Sequence, residues 1–203
     1  MMFLQEKRDA TTGDWLKDKG RFAILGNLEI NRGEHTDKLK TYCPTMGQLG
    51  LKFVIAMVAY KCWLLSKSDT QQAFQHTPTT RPIPDIVWIR KEMSGADEDD
   101  WYYLTTLFQG LPDASRGWFN FIIEFLTRPP SNMRQNDANP CILYWCSGFK
   151  DPYYNLDNWE VHQQDPEFGQ LVIGLSTDDN LEGRAPNSRS LAHLAVIRKD
   201  SLR

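Results

Sequence analysis

The sequence predicts a mixed α+β fold, because short apolar runs bounded by turn residues are interspersed with two segments of helical periodicity. The clearest strand runs from Leu171 to Leu175, and helices are predicted at residues 45–62 and 113–126. With 203 residues, 41% of them hydrophobic and 24% charged, the chain is long enough for one sizeable core but not for several independent domains. We therefore expect a single unit.

The first half of the chain contains two predicted hairpins with a helix between them. Residues 3–27 alternate polar and apolar positions and break at residues 11–14, which is typical of a hairpin. Apolar residues three to four positions apart describe a helix with one broad apolar face at residues 45–62. The strand-like residues 85–90 and 101–105 are separated by an acidic turn, so we expect them to pair.

The second half begins with the helix predicted at residues 113–126, which stops at the sequence Arg128-Pro129-Pro130 because proline cannot continue a helix. Residues 180–184 are polar for a sheet, so we expect any strand there to be weak. The remaining predicted elements are strands at residues 141–146 and 171–175, a surface loop at residues 147–169, and a short helix at residues 190–198 within a C-terminal tail, residues 185–203.

Charge and cysteine content narrow the class of protein. The net charge is −3, whereas proteins that bind nucleic acid through phosphates usually carry a basic excess, so such a role requires a local cluster. The four cysteines form no CxxC pair and have no histidine at zinc-finger spacing, so we expect reduced thiols rather than structural zinc. The densest basic stretch in the N-terminal half consists of Lys7, Arg8, Lys17, Lys19 and Arg21.

Membrane insertion and secretion are not indicated by the sequence. No apolar run approaches the ~20 residues that span a bilayer. Residues 1–8 also lack the order of charged, apolar and small residues that defines a signal peptide. We therefore expect an intracellular protein, cytoplasmic or nuclear, with no membrane partner.

Three carboxylates stand at the ends of apolar segments. The run from Leu171 to Leu175 leads into Asp178 and Asp179, and Asp69 follows a largely apolar segment. Magnesium takes one or two protein carboxylates and fills its other positions with water and phosphate oxygens, and paired magnesium ions catalyse phosphoryl transfer in polymerases and nucleases. The three acids therefore predict a divalent metal site, with an ordinary solvated acidic pair as the alternative.

Several short blocks follow one another in a recognisable order. They are Lys7-Arg8-Asp9 with Lys19-Gly20-Arg21, Thr41-Tyr42-Cys43-Pro44, Asp69 followed by Ala73-Phe74, Leu107-Phe108-Gln109-Gly110-Leu111 with Arg116-Gly117-Trp118, residues 136–144, and Ser176-Thr177-Asp178-Asp179. Together they resemble the reverse transcriptase domain of copia-type retrotransposons. That family has Asp followed by Ala-Phe, Leu-Tyr-Gly-Leu with Arg-Ala-Trp, Ala-Asp-Pro-Cys-Leu-Tyr, and Tyr-Val-Asp-Asp in the same order.

The resemblance implies a right-hand polymerase fold in which helices back an antiparallel palm sheet and the thumb is absent. It also implies RNA-directed DNA polymerase activity on an RNA or DNA template with a primer, with deoxynucleoside triphosphates as substrates and other parts of a Pol polyprotein as further partners. The implied division of the single domain is fingers at residues 1–60 and 80–106, palm at residues 61–79 and 107–184, and a tail at residues 185–203.

The resemblance also assigns the metal ligands. Asp69, Asp178 and Asp179 become the catalytic carboxylates of a site for two Mg²⁺ ions, or Mn²⁺ in their place, with Asp69 and Asp178 as metal ligands and Asp179 beside them as a ligand or an electrostatic support. Thr70 contributes its backbone carbonyl to the metal. Without the family, Asp178 and Asp179 would more often be read as a solvated pair.

A second set of residues is implied to contact the nucleotide. Lys19 and Arg21 would face its phosphates, with a solvated basic turn as the alternative. Backbone N–H groups of Gln72 and Ala73 would bind the triphosphate. The ring of Phe74 would exclude a ribose 2′-hydroxyl, with core packing as the alternative, and Gly110 would let the backbone approach the base and template, with a simple turn as the alternative.

Departures from the family pattern point to a second hypothesis. Ser176 stands where the family has a tyrosine, Leu25 replaces an expected arginine, and Ser115 an expected proline. The substitutions at Ser176 and Leu25, with the absence of the family's C-terminal region after residue 203, favour a catalytically inactive remnant that binds nucleic acid or protein. A metal-dependent nuclease using the same acids is the third hypothesis, and the context of Ala73 and Phe74 favours nucleotide addition over it.

Overall fold

A computed structural model of the protein describes residues 2–24, 41–79, 85–147, 169–176 and 179–200. The helices and strands along the chain are β1 Met2–Arg8, β2 Trp15–Phe22, α1 Gly47–Tyr60, β3 Leu64–Asp69, a 3-10 helix Ala73–His76, β4 Ile86–Ile89, α2 Lys91–Ser94, β5 Asp100–Tyr103, α3 Ala114–Thr127, β6 Arg134–Gln135, β7 Ile142–Cys146, β8 Gln170–Ser176, β9 Asp179–Arg184 and α4 Ser188–Asp200. Every paired strand among them is antiparallel, so the predicted mixed α+β class with an antiparallel sheet is confirmed.

The chain divides into two compact units. The first unit comprises Met1–Tyr42 and Gln72–Trp118, and the second comprises Cys43–Gln71 and Phe119–Arg203. The second unit contains both α1 and the largest sheet. The borders predicted for fingers and palm remain predictions.

Two hairpins in the first unit form where the sequence predicted them. In the first, β1 pairs with β2, and the Asp9 carboxylate accepts backbone N–H bonds from Thr11 and Thr12 at 2.8 and 2.9 Å. These bonds hold the pKa of the Asp9 carboxyl below its usual value, and the bond from Thr12 has the largest effect. In the second hairpin β4 pairs with β5, and α2 occupies part of the connection that was predicted only as a turn.

The hairpin of β4 and β5 exposes its more aromatic face. Trp88 lies directly opposite Trp101, and Ile86 opposite Tyr103, so alternation places all four on one face. Their exposed fractions range from 47% to 67%.

The core of the first unit is a small cluster around the turn that precedes α3. Leu107, Leu111 and Ala114 are buried there, and Phe74 and Ile24 are among the side chains that pack against them. The backbone at this turn is tightly constrained, because the Ile24 N–H donates to the Gln109 carbonyl at 2.8 Å.

Gly110 is required by this turn. Its φ is +98°, a conformation that L-residues rarely adopt, and a Cβ there would fall onto the carbonyl oxygen of Ile24. The structure therefore gives Gly110 a packing role within the first unit, in agreement with the turn alternative.

The second unit is built on a five-stranded sheet with strand order β3-β9-β8-β7-β6. β8 is buried along residues 171–175, as its apolar sequence predicted. β9 lies between β3 and β8 and pairs with both along its length, so it is an interior strand rather than the weak strand expected from its polarity.

The polarity of β9 has a structural explanation in Glu182. This residue is only 4% exposed, and its carboxylate accepts hydroxyl hydrogen bonds from Ser66 at 3.1 Å and from Ser68 at 2.7 Å. A buried charge is tolerated when such bonds replace water. The serines on β3 therefore allow an acidic residue in the middle of the sheet.

Helix α1 packs on one face of the sheet through Val54 and Val58, which are buried. Beneath it, Gly174 and Gly183 leave space for Met46 and Val58, because a Cβ at either glycine would collide with those side chains. The predicted helix at residues 45–62 is thus confirmed with slightly shorter bounds.

Helix α4 confirms the helix predicted at residues 190–198 and anchors what was predicted as a tail. The His193 ring stacks on Trp145 of β7 with 3.7 Å between ring centroids. The Gln170 N–H also donates to the Ser190 hydroxyl at 2.8 Å. α4 is therefore tied to the sheet at two points.

Two further sequence predictions concern a surface loop and membrane insertion. The loop predicted at residues 147–169 lies outside the described residues except for its ends, where the Ser147 N–H donates to the Gly169 carbonyl at 2.9 Å. Within the described ranges, no helix combines the length and hydropathy needed to cross a membrane.

The buried thiol of Cys141 makes the stability of the fold depend on pH. Burial raises its pKa from 9.0 to about 11, and nearby Cys43 acts in the same direction. The pKa of Cys141 in the folded chain lies above its value in the unfolded chain. The stability that comes from keeping this thiol protonated is therefore complete below about pH 9 and is lost as the pH rises toward 11. We expect urea denaturation to show a larger loss of stability over this interval in the native chain than in Cys141→Ala, and equal losses would contradict the assignment.

Candidate metal centre

Two of the three predicted catalytic acids lie side by side in the sheet. Asp69 is the last residue of β3 and is paired directly with Asp179, the first residue of β9. On the other side of β9, Asp179 is paired with Ser176, the last residue of β8. We call Asp69, Asp179 and Ser176 the acidic row, since they lie next to one another at one end of three neighbouring strands.

The strand register explains why these residues meet. Directly opposed residues in an antiparallel pair have Cβ atoms about 4.5–5.5 Å apart, so the two carboxyl groups of the acidic row are neighbours. Residues 177 and 178 connect β8 to β9 and lie outside the described residues. The placement of Asp178 is therefore not part of this geometry, and its catalytic role stays a prediction.

A lysine neutralises part of this charge. The Nζ atom of Lys67 lies 2.9 Å from the Oδ1 atom of Asp179, with 65% and 48% of the two side chains exposed. Lys67 precedes Asp69 by two residues on β3, so alternation places both on the same face of the sheet. Sequence reasoning missed Lys67, because a lysine two positions before an acid on an exposed strand is usually only a solvated residue.

The donors in the acidic row suit a hard cation. Carboxylate oxygens are the ligands that Mg²⁺ prefers, and one or two of them are what a protein usually supplies to each ion. Among the residues that the structure describes, no group of three or more His, Cys, Asp and Glu residues is placed to hold a metal. Asp69 and Asp179 supply the two carboxylates that one such ion takes from a protein.

Thr70 and Glu182 stand close to the acidic row along the chain. Thr70 follows Asp69 directly and is half-buried. The binding of metal by its backbone carbonyl remains a prediction. Glu182 is the third residue after Asp179 on β9, so it points to the opposite face, where Ser66 and Ser68 bind it. The Glu182 carboxylate is therefore separate from the candidate metal ligands.

The residues predicted to contact the triphosphate belong to the first unit, whereas the candidate metal ligands Asp69 and Asp179 belong to the second. Gln72 precedes the 3-10 helix with φ of +54°, and buried Ala73 begins that helix. Phe74 is partly buried against the core cluster of the first unit, which agrees with its core-packing alternative. Its predicted contact with a ribose is untested.

The two basic residues predicted to face the phosphates lie on β2. Lys19 is paired with Gln5 and Arg21 with Phe3. Both therefore occupy the same strand of the N-terminal hairpin, two positions apart. Their predicted binding to phosphate remains a prediction.

Comparison of the chain with models of protein families, with curated proteins and with solved structures finds no match. The resemblance to copia-type reverse transcriptases therefore depends on the sequence blocks alone.

Proposed function

We propose that this chain is the reverse transcriptase domain of a copia-type retrotransposon, an RNA-directed DNA polymerase. The observation that supports the proposal is the direct pairing of Asp69 with Asp179 at the ends of β3 and β9. Two carboxylates from distant parts of the sequence, Asp69 and Asp179, are held in register by a sheet. The resemblance assigns metal binding to Asp69 and Asp178, and makes Asp179 a further ligand or an electrostatic support.

In this proposal the acids act as ligands for two Mg²⁺ or Mn²⁺ ions. Bound ions would lower the pKa of the primer 3′-hydroxyl and neutralise charge on the departing pyrophosphate. Asp69, Asp178 and Asp179 would hold the ions, with the carbonyl of Thr70 as a further ligand. Because Asp69 and Asp179 lie on paired strands, their spacing is set by the backbone before any ion arrives.

The chain would bind its other substrates through the remaining predicted residues. Gln72 and Ala73 would donate backbone N–H groups to the triphosphate, and Phe74 would exclude a 2′-hydroxyl. Lys19 and Arg21 would attract the phosphates. Gly110 would keep its predicted place near base and template in addition to its packing role. Primed RNA or DNA templates, deoxynucleoside triphosphates and other parts of a Pol polyprotein are the proposed partners.

A catalytically inactive remnant is the second candidate function. Two observations favour it: Lys67 already places a positive charge on Asp179, and Ser176 occupies the position of the family's tyrosine, opposite Asp179. In that case any function would depend on binding nucleic acid or a protein partner.

Primer extension tests the proposal. We expect the chain to lengthen a labelled DNA primer on an RNA template with Mg²⁺ or Mn²⁺ and deoxynucleoside triphosphates, and Asp178→Asn to lose this activity. Extension that is absent, or equal in the two proteins, would refute the polymerase. Release of labelled nucleotides without triphosphates would instead indicate the nuclease.

A further inference from the structure

A cation is already present in the candidate metal centre, in the form of the Lys67 ammonium group. Its Nζ atom lies 2.9 Å from Oδ1 of Asp179. The residue directly opposite Lys67 on β9 is Leu181, so the lysine reaches diagonally along the strand to the carboxylate. Its side chain therefore extends toward the acidic row rather than straight out from the sheet edge.

The charges explain why this contact matters. Two carboxylates directly opposite each other repel, and a nearby cation relieves that repulsion. With Lys67 included, the formal charge of this group changes from −2 for Asp69 and Asp179 to −1. A divalent ion that binds the same carboxylates then meets a positive charge beside it.

We propose that Lys67 is an internal counter-ion that competes with divalent metal for Asp179. The inference rests on the proposed function, because it assumes that the acidic row binds metal. It adds a residue that sets the metal affinity and that the predicted ligand set does not include.

The exposure of Lys67 makes it displaceable. Its side chain is 65% exposed, and an ion pair exposed to this degree is weak. A metal ion can therefore replace the ammonium group at Asp179, while the flexible lysine stem carries the charge into solvent. Metal-free chains would keep the lysine contact, and metal-bound chains would lose it.

Manganese titration followed by the electron paramagnetic resonance signal of free Mn²⁺ tests this inference without any need for activity. We expect Lys67→Met to bind Mn²⁺ about threefold to tenfold more tightly than the native chain, because both the competing pair and the repulsion are removed. Lys52→Met is the matched control, since Lys52 is an exposed lysine on α1. Asp179→Asn shows whether the binding measured belongs to the acidic row.

A second measurement uses stability. We expect Lys67→Met to melt below the native chain without metal, where two carboxylates lose their counter-ion, and to gain more in melting temperature than the native chain when Mn²⁺ is added. This larger gain distinguishes competition from a purely structural role.

The outcomes separate the two claims. Equal Mn²⁺ affinity of Lys67→Met and the native chain, with binding that still requires Asp179, would overturn the role of Lys67 and leave the metal centre intact. An equal increase in Lys52→Met would also overturn it, since the effect would then reflect net charge. Absence of binding in every variant would overturn the metal centre and this inference with it.

Discussion

Gly110→Ala is expected to destabilise the first unit by about 3 kcal/mol or more. An L-residue at φ of +98° is strained, which by itself costs about 1–2 kcal/mol. The added methyl group would also fall onto the Ile24 carbonyl, a backbone atom that is held by the hydrogen bond between Ile24 and Gln109. Urea denaturation followed by tryptophan fluorescence measures the loss.

Gly95→Ala is the matched control for this substitution. Gly95 also has a positive φ, +72°, but nothing lies within 4 Å of a Cβ built there. We expect this variant to lose only about 1 kcal/mol, from backbone strain alone. Equal losses at Gly110 and Gly95 would show that the close approach of Ile24 does not constrain the turn.

The largest expected effect on activity comes from the acidic row. Asp69→Asn and Asp179→Asn are each expected to lower the rate of primer extension about a thousandfold. Loss of a charged metal ligand removes several kcal/mol of transition-state stabilisation, and about 1.36 kcal/mol corresponds to a tenfold change in rate. Asp97→Asn, which alters an exposed acid in the loop before β5, should extend primers at the native rate.

Stability measurements separate this loss from misfolding. Asp69→Asn removes one of two carboxylates that face each other across the strands, so without metal it should be as stable as the native chain or slightly more stable. A variant that loses extension and also unfolds would not support a catalytic role. Native-like extension by Asp69→Asn would contradict the role directly.

The sequence was sufficient to predict most of the individual elements. The apolar run from Leu171 to Leu175 became the buried strand β8, and periodicity located all four ends of α1 and α3 within one or two residues. These predictions succeeded because burial of an apolar face dominates the choice of local structure.

Contacts between distant segments could not be derived in the same way. β9 can bury the polar residue Glu182 because two serines that lie 114 and 116 residues earlier donate hydrogen bonds to its carboxylate. No local pattern in the sequence reveals such partners. The contact of Lys67 with Asp179 and the approach of Ile24 to Gly110 also depend on strand register and on packing between distant parts of the chain.

The candidate site was predictable in part. Apolar runs that end in acids pointed to Asp69 and Asp179, and the structure pairs them. The lysine that accompanies them was missed, because a single charged residue on an exposed strand usually indicates only a solvated edge.

The central claim is that Asp69 and Asp179 form a divalent cation site, and paramagnetic broadening by Mn²⁺ tests it most directly. In a nuclear magnetic resonance titration of the labelled chain, substoichiometric Mn²⁺ should first broaden the backbone amide signals of Asp69, Asp179 and Ser176. Broadening that begins instead at the exposed acids from Asp97 to Asp100, or that spreads evenly over the chain, would contradict the claim.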